Sequence, residues 1–137
     1  MIELHLMRGL PRSGKSTKSI ELSKNLGAPV ASKDAIRLAL HGERYLAERE
    51  EEVQELSIIL LKSLILAGHD KIIIDGCHVD LKRSMDSYRS FLNDYDLQFT
   101  VHTQCTTAEE CNRRAVLTKQ EDLIPVIDSM SKDWVNP

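Results

Sequence analysis

The chain contains 137 residues, of which 42% are apolar and 28% charged, and it carries a formal net charge of −3. This composition is typical of one soluble globular domain over 1–137, and the negative charge argues against a dedicated nucleic-acid-binding module. No apolar run is long enough to cross a membrane, and the N-terminus lacks a secretory signal. Three irregularly spaced cysteines do not make a disulfide framework or a zinc site, so we expect a cytoplasmic protein with reduced thiols.

Strand and helix patterns alternate along the chain. The predicted strands cover 2–7, 29–31, 71–75 and 97–104. The predicted helices cover 15–26, 33–40, 48–67, 81–95, 107–114 and a last segment that opens at Asp122 or Pro125 and runs to about 134. Because each crossover is long enough to be right-handed, this order predicts an α/β fold in three layers, with a parallel sheet of about four strands and helices on both faces.

Capping residues and apolar spacing define the helices. Ser32, Asp80 and Thr107 are predicted N-caps, and Thr107 opens a capping box that ends at Glu110. In the helix over 48–67 the inner stripe is predicted at Val53, Leu56, Leu60, Leu64 and Ala67, widened by Ile58, Ile59, Leu61 and Ile65. In the helix after Asp80 the inner residues are predicted to be Met85, Tyr88 and Leu92.

The segment Gly9-Leu-Pro-Arg-Ser-Gly-Lys-Ser-Thr17 fits the phosphate-binding pattern G-x-x-x-x-G-K-[ST] in full. Its glycines let backbone N–H groups point inward at an anion, Lys15 adds a charge toward the outer phosphates, and Ser16 is placed to ligate Mg²⁺. A strand leads into the loop and a helix leaves it, as the motif requires. The predicted nucleotide-phosphate site consists of Gly9, Pro11, Arg12, Ser13, Gly14, Lys15, Ser16 and Thr17.

Charge is distributed unevenly around this loop. Between Arg8 and Arg37, seven basic residues stand against two acidic ones, a balance of +5. Between Glu43 and Glu55, six acidic residues stand against two basic ones, a balance of −4. A basic mouth suits a polyanionic ligand, although the phosphates of a nucleotide alone would also account for it.

Acidic residues follow the second and third predicted strands. Asp75 ends the apolar strand Ile72-Ile-Ile74, where a carboxylate can hold Mg²⁺ or simply cap the next turn. His78 follows at the same strand end, as a contact for phosphate or acceptor or as an ordinary loop histidine. Asp34 and Arg37 share a helical face just beyond the second strand. We predict that Asp34 accepts a hydroxyl proton and that Arg37 holds an anionic acceptor, rather than forming only an i,i+3 ion pair.

A last basic group, Arg113, Arg114 and Lys119, follows the fourth predicted strand. It is interpreted either as a solvated helix face or as part of a small helical lid over about 107–122 that closes on the nucleotide. Because no base is spaced to activate the three cysteines, we expect them to be core or loop residues. Tyr45 is the one exposed aromatic candidate for stacking on a base.

Together these motifs resemble the small P-loop kinases of the polynucleotide 5′-kinase and zeta-toxin group, above all the phage-type polynucleotide kinase domain. The resemblance is carried by the phosphate loop, by Ser32-Lys-Asp-Ala-Ile-Arg37, by the segment from Ile72 to Arg83, by Arg113-Arg114 and by Ile124-Pro-Val-Ile-Asp-Ser-Met130. It implies a P-loop NTPase fold, with Lys15 and Ser16 on phosphate and Mg²⁺, Asp34 as general base and Arg37 on the 3′-phosphate of the acceptor. It also implies acceptor contacts from the region of His78 and Arg83.

The sequence therefore predicts an ATP- and Mg²⁺-dependent kinase that phosphorylates a hydroxyl, foremost the 5′-hydroxyl at a single-stranded nucleic acid end. Asp34, Arg37, Lys15, Arg113 and Arg114 are its expected catalytic residues. The alternatives are a kinase of a small alcohol or nucleoside with the same residues, and an ATP-binding switch without transfer activity. Neither a DxxG nor an [NT]KxD motif occurs, which disfavours a GTPase.

Overall fold

The computed structural model describes residues 1–43 and 45–134. In chain order the elements are β1 (Ile2–Arg8), α1 (Lys15–Leu26), β2 (Val30–Ser32), α2 (Lys33–His41), α3 (Glu50–Leu66), β3 (Lys71–Asp75), α4 (Leu81–Phe91), β4 (Leu97–Thr103), α5 (Ala108–Leu117) and α6 (Ile124–Lys132). Single 3₁₀ turns at Ala47–Arg49 and Glu121–Leu123 lead into α3 and α6. The predicted alternation of strands and helices is confirmed.

The four strands form one parallel sheet in the order β2-β3-β1-β4. The register pairs Ser32 with Asp75 and Leu6 with Ile74, so that β1, β2 and β3 end at the same edge. In a parallel sheet with this connectivity, ligands bind outside the carboxyl ends of the strands. This edge is therefore where the sequence motifs meet.

Alternating strand residues bury two separate cores. Leu6 and Ile72 lie on one face with Leu61 of α3 and Leu81 of α4. Met7 and Ile73 lie on the opposite face, against α1. Since an apolar strand that is buried on both faces must be covered twice, the predicted three-layer α/β fold follows and is confirmed.

A third apolar cluster attaches α5 and α6 to the phosphate loop. Leu10 of the loop packs with Cys111 and Ala115 of α5 and with Ile127 of α6, all of them buried. The spacing of four residues between Cys111 and Ala115 places both on one face of α5. The segment predicted as a lid is thus anchored by its apolar face beside the loop.

The predicted caps are present. The Oγ of Ser32 accepts a hydrogen bond from the backbone N–H of Ala35, Asp80 accepts one from Arg83, and Thr107 accepts one from Glu110, each at 3.2 Å. Such caps satisfy N–H groups that have no partner within the helix.

Two details of the predicted helices were wrong. The helix after Asp80 ends at Phe91 and not near Tyr95, because Leu92 leaves helical geometry and the chain turns before β4. In α3 the buried residues are Val53, Ser57 and Leu61, and the predicted Leu60, Leu64 and Ile65 pack partly buried against the same core. Leu56, Ile59 and Ala67 of the predicted stripe are exposed. Apolar residues surround much of α3, so periodicity alone could not select its buried face.

Among the helices of the described residues, none has the length and apolar character needed to cross a membrane.

Candidate functional site

The phosphate loop connects β1 to α1 and is packed closely around its glycines. A Cβ at Gly9 would lie 2.4 Å from the Oγ of Ser13, which is itself fully buried. Gly14 has a φ of +97° and is the N-cap of α1, and Arg12 adopts a φ of +66°. Glycine is favoured at Gly9 by the limited space and at Gly14 by the backbone conformation. The loop thus has the tight turn predicted from its motif.

Ser16 and Asp75 meet at the end of the sheet. The Oγ of Ser16 donates a hydrogen bond to Oδ2 of Asp75 at 3.2 Å, and Nζ of Lys15 lies 3.5 Å from the carbonyl oxygen of Leu10. Burial raises the pKa of Asp75, against the opposing effects of Lys15 and Ser16, and the charge of Asp34 raises it further. The two residues that were each predicted to hold Mg²⁺ therefore lie in hydrogen-bond contact.

The chemistry of this pair fits a magnesium ion. Oδ1 of Asp75 is buried and has no hydrogen-bond partner among the described residues. Carboxylate and hydroxyl oxygens are ligands that Mg²⁺ takes, usually beside water and substrate phosphates. No group of three or more His, Cys, Asp or Glu able to hold a metal occurs within 1–43 and 45–134. Mg²⁺ held by Ser16 and Asp75 would take further ligands from water and substrate phosphates, as it usually does in proteins.

Asp34 and Arg37 lie on α2, one turn apart. Nη1 of Arg37 donates to Oδ1 of Asp34 at 2.7 Å, and the Asp34 side chain is 66% exposed. Because Asp34 lies two residues beyond Ser32, and Ser32 pairs with Asp75, its carboxylate acts electrostatically on Asp75. Asp34 thus combines access to solvent with proximity to the loop serine and its acid.

Arg37 has a second partner that the sequence did not reveal. Its Nε and Nη2 donate to the two carboxylate oxygens of Glu50, at 2.7 and 3.0 Å, in a bidentate pair. Burial opposes the charge of Arg37, but the hydrogen bonds to Glu50 and Asp34 outweigh it, and the pKa of Arg37 lies above its ordinary value. A guanidinium that we predicted to hold an acceptor is thus already held by two carboxylates.

His78 faces inward. Its Nδ1 lies 2.6 Å from the carbonyl oxygen of Met7, and its Nε2 lies 3.0 Å from the hydroxyl of Tyr88. A carbonyl only accepts, so Nδ1 carries the proton and Nε2 accepts from Tyr88. Burial lowers the pKa of His78 and favours this neutral form. Both ring nitrogens have hydrogen-bond partners within the protein, so His78, which follows β3, connects that strand end to β1 and α4.

The two arginines of α5 differ. Nη1 of Arg114 donates to the backbone oxygen of Arg12 in the phosphate loop at 3.1 Å, and a Cβ on Gly14 would lie 3.8 Å from this nitrogen. Arg113 is exposed and makes a bidentate pair with Glu110, at 2.7 and 2.8 Å. Hydrogen bonds from Arg113 and then Arg114 lower the pKa of Glu110 to about 2. Of the pair, Arg114 is the one beside the loop.

The remaining predicted positions are distributed more widely. Arg83 is exposed at the start of α4, and in the described part of the chain its guanidinium makes no hydrogen bond or ion pair with the phosphate loop. Pro11 is half-buried, Thr17 is exposed at the start of α1, and Tyr45 is 65% exposed, as expected of a stacking candidate. The cysteines are free, with Cys111 in the core and Cys105 exposed.

Fewer basic residues face the phosphate loop than the sequence suggests. Arg8 is 2% exposed, and its guanidinium donates to the carbonyl oxygens of His78 and Val79 and stacks 3.7 Å from the ring of Trp134. Lys33 donates to Gln54 of α3. Both cations thus serve the packing of the fold, so not all of the seven bases counted between Arg8 and Arg37 face the loop.

Sequence reasoning missed the residues that support the loop from the other side. The Oγ1 of Thr106 donates to the backbone oxygen of Ser13 at 2.8 Å, and the side-chain amide of Gln104 lies 3.5 Å from a Cβ placed on Gly14. Their only sequence signal was their position directly after the last strand, at the edge where α/β proteins bind ligands. Glu50 was a further residue that the sequence reasoning missed, because its only signal was its place among the acidic residues that begin a helix.

Comparison with known proteins agrees with this architecture. The model of a family described as an AAA domain matches residues 4–122. A chain of the Pnkp1/Rnl/Hen1 complex is 23% identical, with a TM-score of 0.66 over 82% of this chain and 38% of that one. A chain of the Pnkp1/Rnl/Hen1 RNA repair complex is 18% identical, with a TM-score of 0.65 over 98% of this chain and 46% of that one. No curated protein sequence matches the chain.

A small-molecule kinase has a similar fold. The gluconokinase from Sinorhizobium meliloti 1021 is 15% identical, with a TM-score of 0.61 over 98% of this chain and 76% of that one. The chain spans less than half the length of the two Pnkp1/Rnl/Hen1 chains that it matches. At these identities the likenesses establish the fold, and the family model, which covers most of the sequence, establishes the family. The chain belongs to the AAA domain family and has the fold of the P-loop kinases.

Proposed function

We propose that the protein is an ATP- and Mg²⁺-dependent kinase that transfers the γ-phosphate to a hydroxyl, with the 5′-hydroxyl of a polynucleotide as its foremost acceptor. One observation carries this proposal. The Oγ of Ser16 donates a hydrogen bond to Asp75, and Asp75 of β3 pairs with Ser32 of β2 in the sheet. The exposed carboxylate of Asp34 follows two residues after Ser32. An accessible base beside a phosphate loop is what transfer to an alcohol requires.

Each residue has a role in this reaction. Lys15 and the loop amides bind the phosphates, and Ser16 and Asp75 supply oxygens for the metal. Bound Mg²⁺ neutralises phosphate charge. Asp34 accepts the proton of the acceptor hydroxyl, Arg37 orients the acceptor, and Arg114 offers positive charge from the lid side of the loop.

The preference for a polynucleotide rests on the resemblance of the motifs and on the similar fold of a chain in an RNA repair complex. A second candidate, a kinase of a small alcohol or nucleoside, is favoured by the similarity to a gluconokinase and by the pairing of Arg37 with Glu50. An ATP-binding switch without transfer is the third. All three use the same phosphate loop, so only acceptor chemistry and turnover separate them.

The test is incubation with radiolabelled ATP, Mg²⁺ and a panel of 5′-hydroxyl DNA and RNA oligonucleotides, nucleosides and sugars. Labelling of oligonucleotides supports the leading proposal, and labelling of nucleosides or sugars alone replaces it by the second. ATP binding without labelling of any acceptor supports the third candidate, an ATP-binding switch. Lys15→Ala, purified in parallel, is the control, because label that persists with this variant comes from a contaminating kinase.

A further inference from the structure

A groove with a volume of about 720 Å³ opens between the end of β4, the start of α4 and the end of α6. Its apolar wall consists of Leu10, Leu81, Met85, Val101 and Trp134. The other described residues that line it are small or polar, and Arg8 is the only charged one among them. A concave, mostly apolar site with a few polar groups is typical of small-ligand binding. Because its described lining contains no carboxylate, the groove lacks the charge that would repel a ligand with phosphates.

The groove is joined to the phosphate loop. Leu10 belongs to both. The backbone N–H of Gln104 donates to the carbonyl oxygen of Arg8 at 2.7 Å, and the Oγ1 of Thr106 donates to that of Ser13 at 2.8 Å. Gln104 and Thr106 also line the groove. A ligand in the groove therefore lies against the residues that support the phosphate loop.

The groove lies on the α4 face of the sheet. Met85 and Val101 pack against the core that includes Leu81 of α4. Helix α1 covers the opposite face, over Met7 and Ile73. In the proposed reaction, the phosphates of the donor nucleotide bind at the N-terminus of α1. The position of the groove on the other face therefore points to the acceptor, and not to the donor, as its ligand.

Trp134 gives the groove a surface for stacking. It is the only tryptophan of the chain and is half-buried. The guanidinium of Arg8 lies 3.7 Å from the centre of its ring and donates to the carbonyl oxygens of His78 and Val79 at 3.0 and 2.9 Å. The charge of Asp80 also acts on Arg8. The cation is thus compensated within the protein and holds the indole ring in place, and a base can stack on such a ring.

We propose that the groove binds a base of the polynucleotide acceptor, downstream of its 5′-hydroxyl, by stacking on Trp134. This inference rests on the proposed kinase function. Asp34 follows β2, and the groove lies at β4, three strand positions away in the order β2-β3-β1-β4. Because neighbouring strands lie about 4.8 Å apart, the two are separated by roughly 14 Å. This distance exceeds the length of one nucleoside, so a later base of the strand reaches the groove.

The test uses the unmodified protein and two signals from the groove. One is the fluorescence of Trp134, and the other is the alkylation of Cys105, which is exposed and lines the groove, followed by mass spectrometry. The probes are a 5′-hydroxyl trinucleotide, the matching nucleoside 3′-monophosphate and a non-hydrolysable ATP analogue with Mg²⁺. We expect the trinucleotide to quench the fluorescence and to slow the alkylation of Cys105 severalfold, whereas the two mononucleotide probes change neither signal.

Variants measure the contribution of stacking. Trp134→Leu is expected to raise the Kd of the trinucleotide about tenfold and to leave that of the nucleoside 3′-monophosphate within about twofold, as loss of one stacked base does. Trp134→Phe restores most of the affinity, because its ring still stacks. Ile20→Ala is the matched control, since Ile20 is 58% exposed on α1, on the other face of the sheet. A thermal melt checks folding, and if Trp134→Leu does not fold, the two signals of the unmodified protein decide.

Unchanged fluorescence and alkylation with the trinucleotide overturn the inference, as does an absence of trinucleotide binding. An equal effect of the ATP analogue also overturns it, because the groove would then hold the base of the donor. Labelling of the trinucleotide is measured separately. If it is phosphorylated without affecting Trp134 or Cys105, the kinase proposal stands and the groove has no part in it. If both signals change but no acceptor is phosphorylated, the kinase proposal fails and the groove stands as a base-binding site.

Discussion

The two sides of the candidate site are built differently: the phosphate loop is shaped by close packing around its glycines, whereas the side on which we propose that the acceptor binds consists of side chains on two helices. In the loop, a Cβ on Gly9 would collide with the Oγ of Ser13, and Thr106 supports Ser13 from the next strand end. On the side where we propose that the acceptor binds, side-chain ion pairs with Asp34 and Glu50 position Arg37. A backbone cradle is fixed by the fold, whereas ion pairs can exchange partners when a ligand arrives.

Because of this difference, we expect affinity for the nucleotide and selection of the acceptor to depend on different residues. Residues of the loop meet groups that every nucleotide triphosphate shares, so a rigid arrangement suits them. In the proposed reaction, residues of α2 and α3 meet the acceptor, which differs between kinases of the same fold. We therefore expect substitutions on the two sides to affect different measured quantities.

The largest expected effect comes from Asp34→Asn. If Asp34 is the base, kcat falls by roughly 10²–10⁴-fold while ATP affinity is nearly unchanged, because the phosphate loop is untouched. Steady-state kinetics and nucleotide titration measure the two. Asp86→Asn is the matched control, since Asp86 and Arg89 form the same i,i+3 pair on α4. Full activity of the Asp34 variant would remove the base assignment.

The next effect distinguishes the two arginines of α5. Arg114→Ala is expected to lower kcat by about 10²-fold, as loss of one donor near developing charge does. Arg113→Ala is expected to change kcat by less than about threefold, because Arg113 contacts Glu110 and solvent. Both variants are assayed at saturating ATP and acceptor. The reverse order would mean that the lid rearranges before transfer and that Arg113, not Arg114, reaches the phosphates.

Gly9→Ala tests the backbone cradle. The added methyl group meets Ser13 at 2.4 Å, so we expect a loss of about 1–3 kcal/mol in the free energy of unfolding, together with weaker ATP binding. Urea denaturation measures the stability. Ser13→Ala alone should be nearly neutral, since its buried Oγ has no hydrogen-bond partner among the described residues. The double variant should recover part of the loss; no recovery would show that the strain lies elsewhere in the loop.

The smallest effect is a pH dependence from His78. Its folded pKa lies below the ordinary value of 6.5, so the unfolded chain binds more protons in mildly acidic solution. Stability from the neutral ring is therefore present above pH 6.5 and is lost as the pH falls through the folded pKa. The free energy of unfolding, followed by denaturant titration downward from pH 7.5, should fall less steeply in His78→Gln. A residual slope is expected from His102, whose pKa burial also lowers; identical slopes would contradict the assignment.

Local patterns predicted the elements well because each has its own signal. The loop motif, the N-caps at Ser32, Asp80 and Thr107, and the apolar strand that ends in Asp75 all act within a few residues. The same local reasoning failed where several answers were equally consistent. Leu56 and Ile59 of α3 have the same apolar character as their buried neighbours, and only the position of the sheet decides which residues are covered.

By itself, the sequence determined a phosphate loop between a strand and a helix, a parallel α/β order, and acids at two strand ends, because spacing along one segment carries this information. Only the tertiary structure decided which distant residues contact one another. Glu50 pairs with Arg37, Arg114 donates to the phosphate loop, and His78 lies between Met7 and Tyr88. The burial of Arg8 is likewise a result of the tertiary structure. The paired residues named here are 10 to 102 positions apart, and the pattern of charges and polar groups along a chain does not specify which distant ones the fold brings together.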